Sequence, residues 1–305
     1  MNRAFRYGYN TNGFAHHRLD DALRVMADLG YEGCALTLDH AHLDPFANDL
    51  ATEVARVARL AQTLRLSLVV ETGARFLLDP RHKHEPTLLS DAADGRRRRR
   101  DFLERALVIA RDLGARVVSL WSGVPPAAAR DVCRQRLVEG VEAIARCAEA
   151  TGVALGFEPE PGMLVESVTD FLDLRAAVDS PALGLTLDLG HCLLTEPDAP
   201  EKVVRRVAPM LVNVHAEDMR RPVHEHLAFG LGEMSYAPIL AALRDIEYRG
   251  LVGVELSRDS HRAPVSTTSD SRSVWVRRAT RPTSVARSPE NGSRCAWSSV
   301  RAQPS

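Results

Sequence analysis

Residues 183–191 read L-G-L-T-L-D-L-G-H, five uncharged residues followed by Asp188 and, three positions later, His191. A run uncharged at both odd and even positions suits a strand covered on both faces, which is the condition of a parallel sheet. Seven further short runs, mostly apolar, lie outward from it: Phe5 to Tyr9, Cys34 to Leu38, Leu66 to Val70, Arg116 to Leu120, Val153 to Phe157, Leu211 to Val214 and Leu251 to Val254. Between them, apolar residues recur three and four apart, as in Leu19, Leu23, Met26; Val54, Val57, Ala61; Leu103, Leu107, Ala110; Leu137, Val141, Ile144; Phe171, Leu174, Val178; and Leu240, Leu243, Ile246. Gly30, Gly114, Gly152 and Gly250 stand where helix C-caps are expected.

Eight strands alternating with helices predict an α/β fold, the (β/α)8 TIM barrel. An open doubly wound sheet would carry a Gly-rich phosphate loop after its first strand, and Tyr9-Asn10-Thr11-Asn12-Gly13 is not one. The eighth helix is missing from the pattern, because all 37 leucines lie at or before Leu256. Residues 265–305 hold ten Ser, seven Arg, four Thr and two acidic residues, giving +5 against −6 for residues 1–264. The expectation is a barrel over 1–264 and a disordered or aberrant Ser/Arg-rich tail over 265–305. The tail's composition is also what a GC-rich gene yields out of frame, so a frame change near Pro264 is a second account of it.

The whole chain has 305 residues, is 45% apolar and 26% charged, and has a net charge of −1. It is neither disordered nor fibrous, and its balance gives no expectation of nucleic acid. Five cysteines without C-x-x-C spacing fit a reducing compartment. With no apolar leader or membrane-length run, a cytoplasmic protein away from membranes is expected.

Four successive runs end on a metal-binding residue: Glu158, Asp188, His215 and Glu255. In a parallel barrel these strand ends share one face. Three carboxylates and an imidazole placed there repel and desolvate at high cost unless a cation neutralises them. Oxygen-rich ligation with one nitrogen favours Mn²⁺ or Mg²⁺, with Co²⁺ or Zn²⁺ as alternatives. Two other segments stand out. The loop Thr72 to Gly95 holds Arg75, Arg81, His82, Lys83 and His84 and suits a lid or an anion clamp. The run Arg96 to Arg100, before a helix beginning near Asp101, reads as a solvated face.

With Glu158 in G-F-E-P-E-P-G, Asp188 and His191 in L-D-L-G-H, His215 in V-N-V-H-A-E-D-M-R-R, G-L-G-E at 230–233 and Glu255 in V-G-V-E-L-S, the chain resembles the sugar phosphate isomerase/epimerase family. This is a group of xylose isomerase-like TIM barrels that includes D-tagatose and D-psicose 3-epimerases, inosose dehydratases and, more distantly, endonuclease IV. The resemblance covers about residues 5 to 264 and implies one divalent metal on Glu158, Asp188, His215 and Glu255. It implies proton removal and return by Glu158 and Glu255 through an enediolate, on a small carbohydrate substrate. It further implies substrate contacts from His191 and Arg221, with Arg220 as the rival for the second. Trp121 and His226 are further candidates for substrate binding, Trp121 by stacking on a sugar face. The extra substrate-contacting glutamate of some epimerases falls on Leu164 here, although Glu160 and Glu166 are near.

Endonuclease IV supplies the rival reading, a multi-zinc phosphodiesterase. Its Asp-x-His aligns with His224-Glu225-His226, so His40, His191, His224 and His226 are candidates for a second metal. The acidic body suits a DNA duplex poorly. A third reading is a sugar-binding or frame-damaged barrel without activity, and a homodimer is one way to cover the face left by the missing helix.

Overall fold

In the computed structural model, which describes residues 5–257 and 260–263, eight parallel strands close into a barrel in the order β1-β10-β7-β6-β5-β4-β3-β2. They are β1 Arg6–Asn10, β2 Gly33–Thr37, β3 Ser67–Glu71, β4 Val117–Leu120, β5 Ala154–Phe157, β6 Leu183–Asp188, β7 Leu211–Ala216 and β10 Leu251–Val254. An antiparallel hairpin, β8 Asp218–Arg220 and β9 Val223–Leu227, stands between the last two. The helices are α1 Leu19–Asp28, α2 Leu50–Leu64, α3 Ala93–Leu113, α4 Arg130–Thr151, α5 Val168–Val178, α6 Leu189–Thr195, α7 Pro200–Val207 and α8 Tyr236–Asp245. Every expected barrel strand is present.

Three expectations need correction. The connection from β6 to β7 holds two helices that the periodicity did not register, because α6 and α7 have only seven and eight residues. Pro200 starts α7, whose Val203, Val204 and Val207 are buried against the barrel. Helix α3 begins at Ala93, so it takes in the whole arginine run, and Arg99 is buried with its guanidinium 4.6 Å over the Trp121 ring. That run is therefore not wholly a solvated face. Gly114 and Gly152 cap α3 and α4 in the left-handed region, at φ 73° and 70°, but after α8 it is Glu247, at φ 53°, that takes that conformation and not Gly250.

Period-two alternation assigns each strand's inward residues to layers. The lower layer is apolar and small: Ala35, Val69, Val117 and Leu251 form a cluster apart from the main core between strands and helices. Leu251 fills the barrel where two strands carry glycine. A Cβ on Gly8 would lie 2.7 Å from Leu251 Cδ1, and one on Gly33 would overlap the same methyl while standing 2.9 Å from the Ser67 carbonyl. Backbone on one side and a packed leucine on the other leave nothing free to give, so Gly33→Ala should cost about 2 kcal/mol of stability. A urea midpoint equal to that of the wild type would show that the layer is looser than this.

Nearer the carboxyl ends of the strands, two to four residues further along, the same inward face turns polar at Asn10, Thr37, Glu71, Ser119, Glu158, Asp188 and Glu255. In β7 a register shift pairs Leu185 with Leu211 but Thr186 with Asn213, which brings Asn213 and His215 into this upper layer. The segment expected to lack the eighth helix, the tail 265–305 and the point proposed for a frame change at Pro264 lie outside the described residues. Among those described, no helix is long and apolar enough to cross a membrane.

Candidate active site

The polar layer opens into a cavity of about 500 Å³ at the carboxyl ends of the strands. Glu71, Glu158 and Glu255 face it from the strand ends, Trp121 and Glu160 from the loops after β4 and β5, His191 from α6, and His224 and His226 from the hairpin. The long β3–α3 loop supplies Arg75, Lys83 and His84 to the cavity wall, whereas its Arg81 and His82 do not line it.

His215 is the hub. Its Nδ1 lies 3.0 Å from Glu158 Oε1 and 3.0 Å from Glu255 Oε2, and its Nε2 lies 3.0 Å from Glu71 Oε1. Asn12 Nδ2 donates to Glu255 Oε1 at 2.7 Å, and the Arg75 guanidinium donates to the Asn12 carbonyl at 2.9 Å. Asp188 acts as the N-cap of α6, its Oδ1 accepting from the His191 amide at 2.8 Å, while its buried Oδ2 has no hydrogen-bond partner. The helix cap and the candidate ligand are therefore one residue using two oxygens. His191 Nδ1 is held 3.1 Å from the Pro159 carbonyl, and its Nε2 meets His224 Nε2 at 2.9 Å.

Burial dominates the electrostatics. It pushes Glu158 up to about 8, with Glu255 and Asp188 adding to the rise and His215 opposing it. Burial also lifts Glu160, to about 7. Glu255 would rise for the same reason, but the adjacent His215 holds it well below the usual carboxylate range. His215 loses by burial and gains more from Glu158, Glu71 and Glu255, so it sits well above an ordinary imidazole. An imidazole raised in this way draws together carboxylates that otherwise repel.

Ligand atoms of Glu158, Asp188, His215 and Glu255 all lie within 4.8 Å of one another. Three oxygens and a nitrogen, buried and in part unpartnered, fit a divalent metal ion. The four residues singled out by their strand ends are thus brought together. His191, His224 and His226 also form a cluster, but His40 is exposed and does not join it. Arg221 is a correction too. Its Nε donates to the Leu193 carbonyl at 2.9 Å and its side chain is 58% exposed beside Glu233, so it does not line the cavity. Arg220 does not take its place, because it is exposed and donates to the Leu231 carbonyl.

Trp121 lines the cavity while its ring packs against Arg99 and meets the His84 ring edge-on at 5.4 Å. Leu164 is buried and leaves Glu160 as the second glutamate of the β5 loop in the cavity wall. Glu71 and Glu217 were not singled out from the sequence. Glu71 ends S-L-V-V-E as Glu158 ends its own strand, so the signal was present one residue beyond the expected end of strand three.

A family model described as xylose isomerase-like TIM barrel matches residues 23–279. An inosose dehydratase of Geobacillus kaustophilus is 28% identical over 142 residues, 41% of this chain and 46% of that protein. A putative L-ribulose-5-phosphate 3-epimerase of Escherichia coli is 25% identical over 224 residues, 67% of this chain and 74% of that one. The chain spans less than half the length of the first curated relatives it matches. A solved L-ribulose 3-epimerase superposes with a TM-score of 0.71 at 20% identity, covering 90% of this chain and 94% of that one, a likeness of fold.

Proposed function

The chain belongs to the xylose isomerase-like TIM barrel family, and we propose that it is a divalent-metal-dependent isomerase or epimerase of a sugar, sugar phosphate or cyclitol. The observation that carries the reading is the convergence of Glu158, Asp188, His215 and Glu255 within 4.8 Å at the wall of a cavity sized for a small carbohydrate. A cation held by these four would supply positive charge beside the substrate oxygen that becomes negative when a neighbouring carbon loses its proton. The chain's own groups do the rest. Glu158 and Glu255, the residues just after strands β5 and β10, remove a proton from the carbon next to the carbonyl and return one. His191 holds a substrate oxygen, Trp121 and the lid exclude water, and Glu160 reaches a hydroxyl.

Substrates named for the relatives supply the first panel: L-ribulose, L-ribulose 5-phosphate and an inosose, each with Mn²⁺ in deuterated water. Exchange of a carbon-bound proton, lost on chelation, is expected for at least one. Exchange indifferent to chelation would remove the metal from the reaction. Lys83 favours a substrate with an anionic end, Arg75 being paired with the buried Asp39 at 3.7 Å, so Lys83→Ala should raise KM for a phosphorylated sugar about tenfold with kcat nearly unchanged. An equal KM change for the unphosphorylated sugar would show that Lys83 reads no charge.

The three-histidine cluster supports a second reading, a phosphodiesterase using several zinc ions. Three zinc ions per chain together with cleavage of abasic-site DNA would establish it over the first.

A further inference from the structure

Beside the hub, a second group of ionisable side chains, sharing Asp188 with the first and reaching the cavity wall at His226, is buried without the partners it needs. Glu217 is fully buried, two residues beyond His215, and neither of its carboxylate oxygens has a hydrogen-bond partner. Its backbone is pinned by the Tyr236 hydroxyl, which donates to the Glu217 carbonyl. Gly190 in α6 leaves it room, since a Cβ there would overlap Glu217 Oε1. Two more orphaned atoms point to the same place: Asp188 Oδ2 and His226 Nδ1, the latter 3.7 Å from Glu217 Oε2. Ligand atoms of Asp188, Glu217 and His226 all lie within 4.8 Å of one another.

Four buried polar atoms left unsatisfied at one point are costly, on the order of 1–3 kcal/mol each and more where charged. Two carboxylates cannot both ionise there without a counter-charge. His226 offers one imidazole, but at 3.7 Å it makes no hydrogen bond to Glu217. We propose that Asp188, Glu217 and His226 form a second divalent-cation site, adjoining the first through Asp188, with Glu217 as its dedicated ligand. Two oxygens and one nitrogen select a hard to borderline ion such as Mn²⁺. The proposal concerns binding and stands whichever reaction the cavity performs.

The test uses the full chain, stripped with chelator and titrated with MnCl₂, free Mn²⁺ being read by electron paramagnetic resonance. Two Mn²⁺ per chain are expected, with a spin-coupled spectrum because Asp188 serves both. Glu217→Gln keeps the shape, and its amide can donate a hydrogen bond to Asp188 in place of the ion, so it should bind one Mn²⁺ with an uncoupled spectrum. His226→Gln, on the surface hairpin, should lose the same ion and serves if the Glu217 variant does not fold. A wild type that binds one Mn²⁺ overturns the proposal, leaving a proton shared by Glu217 and Asp188 as the occupant. A second ion that survives in Glu217→Gln but disappears in His224→Gln assigns it to the three histidines and also overturns it. A protein that binds two Mn²⁺ yet exchanges no substrate proton leaves this site standing and removes the epimerase reading.

Discussion

Glu158→Gln should lower kcat/KM for carbon-bound proton exchange about a thousandfold, or about 4 kcal/mol in the barrier. The side chain is buried with Oε1 3.0 Å from His215 Nδ1, so an amide of the same shape can occupy its place. What the amide cannot do is accept the substrate proton, and a positioned base of this kind contributes roughly 10² to 10⁴ in rate. Loss of one anionic ligand adds to the defect through weaker metal binding. Saturating Mn²⁺ separates the two, because the ligand deficit is then largely offset and the missing base is not. If the variant binds metal fully and exchanges at the wild-type rate, Glu158 is not an acid/base group.

Metal affinity should fall steeply as pH drops from 8 to 6. The sign follows from which protons must leave. Glu158, raised to about 8, and His215, raised well above its usual value, both carry protons near neutrality, and His215 Nδ1 is the atom facing Glu158 and Glu255. A cation taking ligands from that set displaces protons that lower pH puts back. One displaced proton weakens binding about a hundredfold over these two pH units, and two weaken it about ten thousandfold. Calorimetry in two buffers of different ionisation enthalpy counts the protons directly. A dissociation constant flat across this range would mean that His215 Nδ1 is not a ligand.

The barrel was legible because a strand covered on both faces needs apolar residues at odd and even positions alike, and a charged residue can end such a run only where it reaches the mouth. Glu158, Asp188, His215 and Glu255 each break the pattern at that point. Glu217 leaves no such trace, for its burial depends on the hairpin and α8 folding over it, and Gly190 alone on α6 hints at the space it fills. Arg99 is equally silent. Five consecutive arginines look alike in sequence, and only the helix phase of α3 decides which one turns onto Trp121. Arg221 failed for the converse reason, since spacing from His215 says nothing of a hairpin that carries the side chain outward.

The pairing of β1 with β10 joins Arg6 to Leu251, almost the full described length apart. Closing so long a loop is the most entropically demanding contact in the ring. Glu255 immediately follows that last strand, and its bond to Asn12, just after β1, crosses the seam. The proposed acid/base pair is thus complete only when this seam is closed. Metal affinity then becomes a reporter of ring closure, and a kinetic intermediate with the seam open would have the same helices and most of the core but no catalytic centre.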